Sequence, residues 1–316
     1  MTSHTNTVEL GCSYTVLLQY CAATMRSASD AAAAPTTAHH VLPSATVEAL
    51  APILGASPFF CFDYDGTLAP IVDQPERAFV SEETRSALGA LAALHPVAIV
   101  SGRSNAKLMD FLELNNVLFA GSHGVDIAGP SNEAIEGPSP TDMVGAEALS
   151  ALDVARAALD AALGDLDGYL TENNVYCISA HYRMVDEKEH ARVRETVLKV
   201  LQQHPCLLHR EGKMVHELRP AGAWDKGKAV EFLLTKLQAR HHSASTSASP
   251  LVPFYMGDDV ADEEAFRVVA RAGGVGIKVA DGPITSDATA ATYCITQPQV
   301  VALLKELFSS VARATP

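Results

Sequence analysis

The chain has 316 residues, 48% of them hydrophobic, and a formal net charge of -14 at pH 7. That length and apolar content suit one large or two moderate globular domains with a buried core. The negative balance argues against nucleic acid or an anionic membrane as the main partner, yet it admits a phosphorylated small molecule, because a local cation reverses the field inside a pocket.

Cys12, Cys21, Cys61, Cys177, Cys206 and Cys294 are scattered, with no Cys-x-x-Cys pair. This is the pattern of reduced thiols in a cytoplasmic protein, not of a disulfide scaffold or a zinc site. Residues 10–25 carry no charge, but Ser13, Tyr14, Thr15, Gln19 and Tyr20 interrupt them and Glu9 precedes them. They make a poor secretory signal and a poor membrane span.

In chain order, residues 1–43 are rich in Ser, Thr, Ala and His and read as a flexible leader. A short helix is expected over 44–54. The apolar run Phe59-Phe60-Cys61-Phe62 reads as a buried strand of a parallel sheet, and it ends abruptly in Asp63-Tyr64-Asp65-Gly66-Thr67-Leu68. Ligands of open α/β sheets bind beyond the carboxyl ends of such strands. The period of two puts Asp63 and Asp65 on one side of an extended backbone and Tyr64 on the other. Alone, that pattern fits a metal site, an acid–base pair or a phosphate pocket.

Ser81-Glu82-Glu83-Thr84 opens a helix with acidic residues in its first turn. A second buried strand over 97–100 ends in Ser101-Gly102-Arg103, and a helix follows to about residue 114. A third strand over 117–120 ends in Gly121-Ser122-His123-Gly124. Strand–helix–strand alternation implies right-handed parallel crossovers.

After residue 128 the rhythm changes. Helices over 145–163 and 187–203 and strands near 168–172, 175–183, 207–210 and 214–218 fit a small α+β module inserted in the sheet. From Trp224 the α/β rhythm returns, with a helix over 226–240, strands at 254–256, 275–279 and 293–295, and a terminal helix from about 299. The segment Gly257-Asp258-Asp259-Val260-Ala261-Asp262 packs carboxylates behind a buried strand. A hard cation with oxygen ligands would relieve their repulsion, while an ordinary acidic helix start needs none.

The motif at 63–67, a strand ending in Ser101, a downstream Lys226 and the acidic run at 258–262 occur in this order. Together they resemble the haloacid-dehalogenase (HAD) superfamily of phosphatases. Longer strings, FDYDGTLAPIV, VAIVSGR, GSHG, ENNVYCISAHYR, ELRP, WDKGKAVEFLL and GDDVADEEAF, are similar to those of trehalose-6-phosphate phosphatases. The resemblance implies an α/β fold: a HAD-like, Rossmann-type core with a mostly parallel sheet, plus an inserted α+β cap domain. The expected domains are the leader 1–43, a catalytic core at 44–124 and 219–316, and a cap at 125–218 that sets substrate specificity.

The resemblance also implies roles. Asp63 would be the nucleophile, forming an aspartyl-phosphate. Asp65 would be the general acid and then the base. Lys226 would serve catalysis and phosphate binding, with Thr67 and Ser101 holding phosphate oxygens. Mg2+ would sit on Asp63, Asp65 (through its backbone carbonyl) and Asp258, with Asp259 and Asp262 in support. Ser122 and His123 from the core, and Glu172, Arg183 and Glu217 from the cap, would contact the sugar, with Asn174 and His181 in the same strings. Lys213 and Lys228 are expected to be solvated.

Two positions depart from the family. Val175 stands where a lysine is common, and Val260-Ala261 stand where a polar residue and Thr are common. The expected substrate is trehalose 6-phosphate. The alternatives are another phosphosugar, such as sucrose phosphate or a mannosyl phosphate, or a catalytically silent sugar-phosphate-binding regulatory subunit. A monomer is expected, with a dimer as the other possibility.

Overall fold

The computed structural model describes residues 39–40, 43–54, 57–132, 134–135, 137–222, 224–244, 249–280 and 289–314. Its strands, in chain order, are β1 (His39–His40), β2 (Ser57–Phe62), β3 (Val97–Val100), β4 (Leu118–Gly121), β5 (Asp126–Ala128), β6 (Leu170–Asn173), β7 (Ile178–His181), β8 (Leu207–Gly212), β9 (Val215–Pro220), β10 (Leu251–Gly257), β11 (Val275–Val279) and β12 (Tyr293–Ile295).

Eight of them form the main sheet, in the order β1-β12-β11-β10-β2-β3-β4-β5. All neighbours are parallel except β4 and β5. Alternation along β2 decides how this sheet is covered. Phe60 and Phe62 face one side, where they pack with Ile99, Phe119, Met256 and Ile277 under the helices Pro43–Leu54, Glu82–Ala92, Asn105–Leu112 and Val300–Ala314. Phe59 and Cys61 face the other side with Val100, Ala120 and Tyr255, under the helices Lys226–Ala244 and Glu263–Arg271. A strand buried on both faces has to be apolar throughout, which is why it reads as an uninterrupted run.

The helix Glu82–Ala92 starts where expected. Ser81 Oγ accepts the Thr84 N–H at 3.1 Å and satisfies one of the free donors of the first turn.

The second sheet is antiparallel, in the order β6-β7-β9-β8. The helices Ala146–Leu163 and His190–Gln203 cover one face of it through Leu152, Ala155, Leu159, Val193 and Val197 against Ile178, Ala180 and Leu218. Its other face carries Glu172, Ser179 and Glu217, which alternate with those core residues.

Two expectations need correction. His39 and His40, placed in the leader on sequence grounds, pair with Tyr293 and Cys294 at the sheet edge. A two-residue pairing leaves no hydrophobic period to detect. Residues 1–38 of the leader lie outside the described residues. Asp126–Ala128, assigned to the cap, form the antiparallel edge of the main sheet beside β4. The helix expected over 145–163 is present as Ala146–Leu163, and a separate short helix, Pro140–Val144, precedes it across Gly145.

Candidate active site

Parallel register brings the polar residues together. Phe62 is level with Ile99 on β3 and with Met256 on β10, so Asp63 leaves the sheet beside Val100 and Gly257, the last residues of β3 and β10, which Ser101 and Asp258 follow. Asp63 N–H donates to the Met256 carbonyl at 2.8 Å, which ties the two acidic segments. Ser101 N–H donates to the Ala120 carbonyl at 3.0 Å, and His123 N–H donates to the Ser101 carbonyl at 2.8 Å. The ends of β2, β3, β4 and β10 therefore form one floor.

The two aspartates of the opening motif have different surroundings. Asp63 is buried and paired with Lys226 at 2.8 Å. Burial raises its carboxyl above the usual range; Asp262 and Asp258 add to the rise and Lys226 opposes it. Asp65 turns the other way. Arg103 Nε and Nη2 donate to its two carboxylate oxygens at 2.7 Å each. The guanidinium itself lies over Phe111 and Tyr64, 5.1 and 5.6 Å from the ring centroids.

The carboxylate oxygens that gather within 4.8 Å of one another belong to Asp63, Asp258 and Asp262. Asp65 contributes no side-chain oxygen to this group; the contact expected of it is through its backbone carbonyl. Burial and the Asp262 charge push the Asp258 carboxyl up to about 6, against the pull of Lys213. Gly66, at φ +77°, lets Asp258 approach, since a Cβ there would collide with its carboxylate.

Asp262 is wholly buried and fully engaged. It accepts from Lys226 Nζ at 2.7 Å, from the Tyr255 hydroxyl at 2.7 Å and from the Asp259 N–H at 2.8 Å. Burial works against its charge, but these donors hold its carboxyl below the usual range. Lys226, between two carboxylates, is held well above the usual lysine range despite its burial. Asp259 caps the short turn at 260–262 and accepts from the Val260 N–H at 2.7 Å. Three crowded oxygen donors of this kind fit a hard divalent cation, the kind of ion the resemblance implies.

The second sheet closes the pocket from above. Glu172 accepts from Lys107 Nζ, lies 3.0 Å from His181 Nε2 and lies 3.8 Å from Arg103 Nη1. Glu217 lies 3.2 Å from His123 Nε2 and 3.6 Å from Arg219 Nε. Ser122 Oγ donates to the Asn174 carbonyl. Lys213, in the two-residue turn between β8 and β9, reaches Asp258 at 2.8 Å. Lys213 stays exposed, as expected, while making that contact; Lys228 is exposed too, with Glu231 at 3.4 Å. Arg183 is half-buried and donates to the Lys213 carbonyl at 2.7 Å, so it holds that turn at the pocket rim.

Asp63, Asp65, Ser101, His123, Glu172, Arg183, Glu217, Lys226, Asp258 and Asp259 line one cavity with Asn174 and His181. Thr67, Ser122 and Asp262 lie behind them, buried. Thr67 Oγ1, Arg103 Nη1, His123 Nδ1 and Asn174 Oδ1 are buried without a hydrogen-bond partner in the protein. Four orphaned polar atoms in one region are unusual, and they suit a ligand dense in hydroxyl or phosphoryl oxygens. Val175 and Val260 are 55% and 72% exposed at the rim. Val175 holds φ +67°, a strained conformation for a β-branched residue.

Arg103 and Lys107 are the residues the sequence reading missed. Arg103 was part of the quoted Ser-Gly-Arg string, and Lys107 follows four residues later, one helical turn away. Nothing in the local pattern separates them from solvated cations.

Known proteins place this geometry. A sequence model of the family described as Trehalose-phosphatase matches residues 61–299. A protein of Oryza sativa subsp. japonica named "Probable trehalose-phosphate phosphatase 2" is 40% identical over 264 residues, covering 78% of this chain and 67% of that protein. The Arabidopsis thaliana "Trehalose-phosphate phosphatase B" is 39% identical over 243 residues, covering 76% of this chain and 63% of that one. The chain thus spans roughly two thirds of the length of these curated relatives. Among solved structures, the C. albicans "Trehalose-6-phosphate phosphatase C-terminal domain" superposes with a TM-score of 0.70 at 21% identity, covering 88% of this chain and 99% of that one. At that identity the likeness is one of fold. With the family match extending over most of the described residues, the chain belongs to the trehalose-phosphatase family.

Proposed function

We propose that this protein is a Mg2+-dependent phosphatase that hydrolyses trehalose 6-phosphate to trehalose and phosphate through an aspartyl-phosphate. The observation that carries the reading is the division of labour at the end of β2. Asp63 faces Lys226 and the other carboxylates, whereas Asp65, two residues on, is held by Arg103 away from them.

Asp63 and Asp258 would hold the divalent ion, with the Asp65 carbonyl as the family resemblance implies. When bound, the ion neutralises the carboxylates and the phosphoryl oxygens they face. Asp63 Oδ attacks phosphorus while the bond from phosphorus to the sugar oxygen breaks. Lys226 offsets the repulsion between two anions and positions Asp63. The Asp65 carboxyl gives its proton to the leaving oxygen, then takes a proton from the water that cleaves the acyl phosphate. Both Asp65 oxygens are occupied by Arg103, so one of them is released before it faces the substrate. Ser101 and Thr67 offer hydroxyls and backbone N–H groups to phosphate oxygens, and Glu172, Glu217 and His123 face the sugar.

The second sheet acts as a cap over the core, and its closing excludes water from the acyl phosphate. A cytoplasmic setting is supported by free thiols at Cys61, Cys177 and Cys206. Among the described residues no helix is long and apolar enough to cross a membrane.

The test is phosphate release from trehalose 6-phosphate, sucrose phosphate, a mannosyl phosphate and glucose 6-phosphate, each with and without Mg2+. The expected result is selective, Mg2+-dependent turnover of trehalose 6-phosphate. Turnover no better than that of glucose 6-phosphate would overturn the substrate assignment.

A further inference from the structure

The hairpin of β8 and β9 has two faces. One carries Glu217 into the pocket. The other carries His209, Glu211 and His216, none of which lines that cavity. Glu211 pairs directly across the ladder with His216, and His209 lies two residues along β8 on the same face.

Here His209 Nε2 and His216 Nδ1 face each other at 3.0 Å. A tetrahedral zinc ion, with Zn–N bonds of about 2.0–2.1 Å, holds two nitrogens about 3.3 Å apart. The imidazoles therefore already stand near the separation that such an ion imposes. Donor atoms of all three residues lie within 4.8 Å of one another. Glu211 is exposed and His209 half-buried, so an ion has a path in and the carboxylate is free to swing onto it.

His216 is buried and locked. Tyr182 stacks on it with ring centroids 4.8 Å apart and planes 17° apart, and His190 packs edge-on against Tyr182. Burial, then the neighbouring His209, push the His216 imidazole down to about 4, and burial lowers His209 as well. Both rings are then neutral at neutral pH, the state a metal requires. Arg194 is the opposing charge here, and Glu211 balances it.

We propose that His209, Glu211 and His216 form a second metal site, for a borderline divalent ion of the Zn2+ class, that clamps β8 to β9 behind Glu217. Two imidazoles and one carboxylate select such an ion over Mg2+, which prefers oxygen ligands. In the present hydrogen bond, one facing nitrogen carries the proton. On binding, that ring changes tautomer and moves the proton to its other nitrogen, so no net proton is lost. The fourth position falls to water.

The test is Zn2+ titration of the full chain against a chromophoric chelator, with excess Mg2+ present to saturate the catalytic carboxylates. One Zn2+ is expected to bind, and to raise the melting temperature. His209→Gln and Glu211→Gln, both at accessible positions, should weaken that binding by about tenfold or more, while their phosphatase activity in Mg2+ stays at the wild-type level. Asp258→Asn should leave the Zn2+ affinity unchanged. The site is overturned if wild type binds no Zn2+ under excess Mg2+, if His209→Gln binds it as tightly as wild type, or if Asp258→Asn removes it.

Discussion

Arg103 grips Asp65 with two hydrogen bonds of 2.7 Å, one to each carboxylate oxygen, and stands 3.8 Å from Glu172 on the opposite sheet. A single guanidinium thus joins the proposed proton-transfer group to a cap residue, so a cap movement that draws on Glu172 also acts on Asp65. Arg103→Lys keeps the charge and loses the planar fork. Its kcat is expected to fall about tenfold or more, with the ~10²–10⁴ that general acid–base catalysis supplies as the ceiling, and KM is less affected. Steady-state kinetics over pH checks this, since misplacing the proton donor alters the pH–rate profile while a general folding defect scales it. An unchanged profile and kcat would remove Arg103 from the mechanism.

Asp63 and Lys226 have separable roles in stability and chemistry. Asp63→Asn removes the proposed nucleophile from a place where burial already disfavours its charge. Turnover should vanish while substrate still binds, and urea melts should show little loss of stability. Lys226→Met leaves Asp63 and Asp262 buried without their shared cation. That should cost about 3–5 kcal/mol in the same melts, the usual penalty for breaking a buried charge network. Equal stability of the two variants would contradict this account.

Glu172 couples the cap to pH. Burial opposes its charge, but hydrogen bonds from His181 and Lys107, with the charges of Lys107 and Arg103, bring its carboxyl down from 4.5 to about 2. The depressed value means that the contribution is full above pH 4.5 and is lost as pH falls towards 2. The linked stability is about 3 kcal/mol on the scale of 1.36 kcal/mol per unit. Wild type should therefore lose more stability between pH 5 and about pH 2 than Glu172→Gln does, as measured by denaturant melts at each pH. Parallel pH curves for the two proteins would show that Glu172 carries no such linkage.

Lys213 and a divalent cation compete for Asp258. The ammonium reaches that carboxylate at 2.8 Å from the tip of the β8–β9 turn. Chelation should abolish activity and Mg2+ should restore it. Lys213→Ala should bind Mg2+ a few-fold more tightly without substrate, because the ion no longer displaces an ammonium. Calorimetric Mg2+ titration measures the difference, and weaker binding by the variant would show that Lys213 supports the ion instead of competing with it.

How much was legible beforehand depended on the range of the signal. The strands at 97–100 and 275–279 match their expected bounds, because a buried strand is a short apolar run closed by polar residues. The edges were not legible. His39–His40 and Asp126–Ala128 are too short for a period, and the second became part of the main sheet only through pairing with β4. In the site, Asp63, Ser101, Lys226 and Asp258 were legible because each directly follows a strand or opens a helix in a recognisable string. Lys213 is exposed as expected, but its pairing with Asp258 was not legible, because that partner lies 45 residues away.

The sequence by itself determined which strand ends carry chemistry and in what order, since apolar runs and their polar terminators are local features. The tertiary structure alone decided how the two aspartates of the first motif divide. Asp65 turned to Arg103, 38 residues on, and Asp63 turned to Lys226 and the carboxylates after β10. A strand period of two would set both aspartates on one side of the segment, and their local patterns are alike. What separates them is the parallel register that sets β3 on one side of β2 and β10 on the other, bringing a cation to one carboxylate and a crowd of anions to its neighbour.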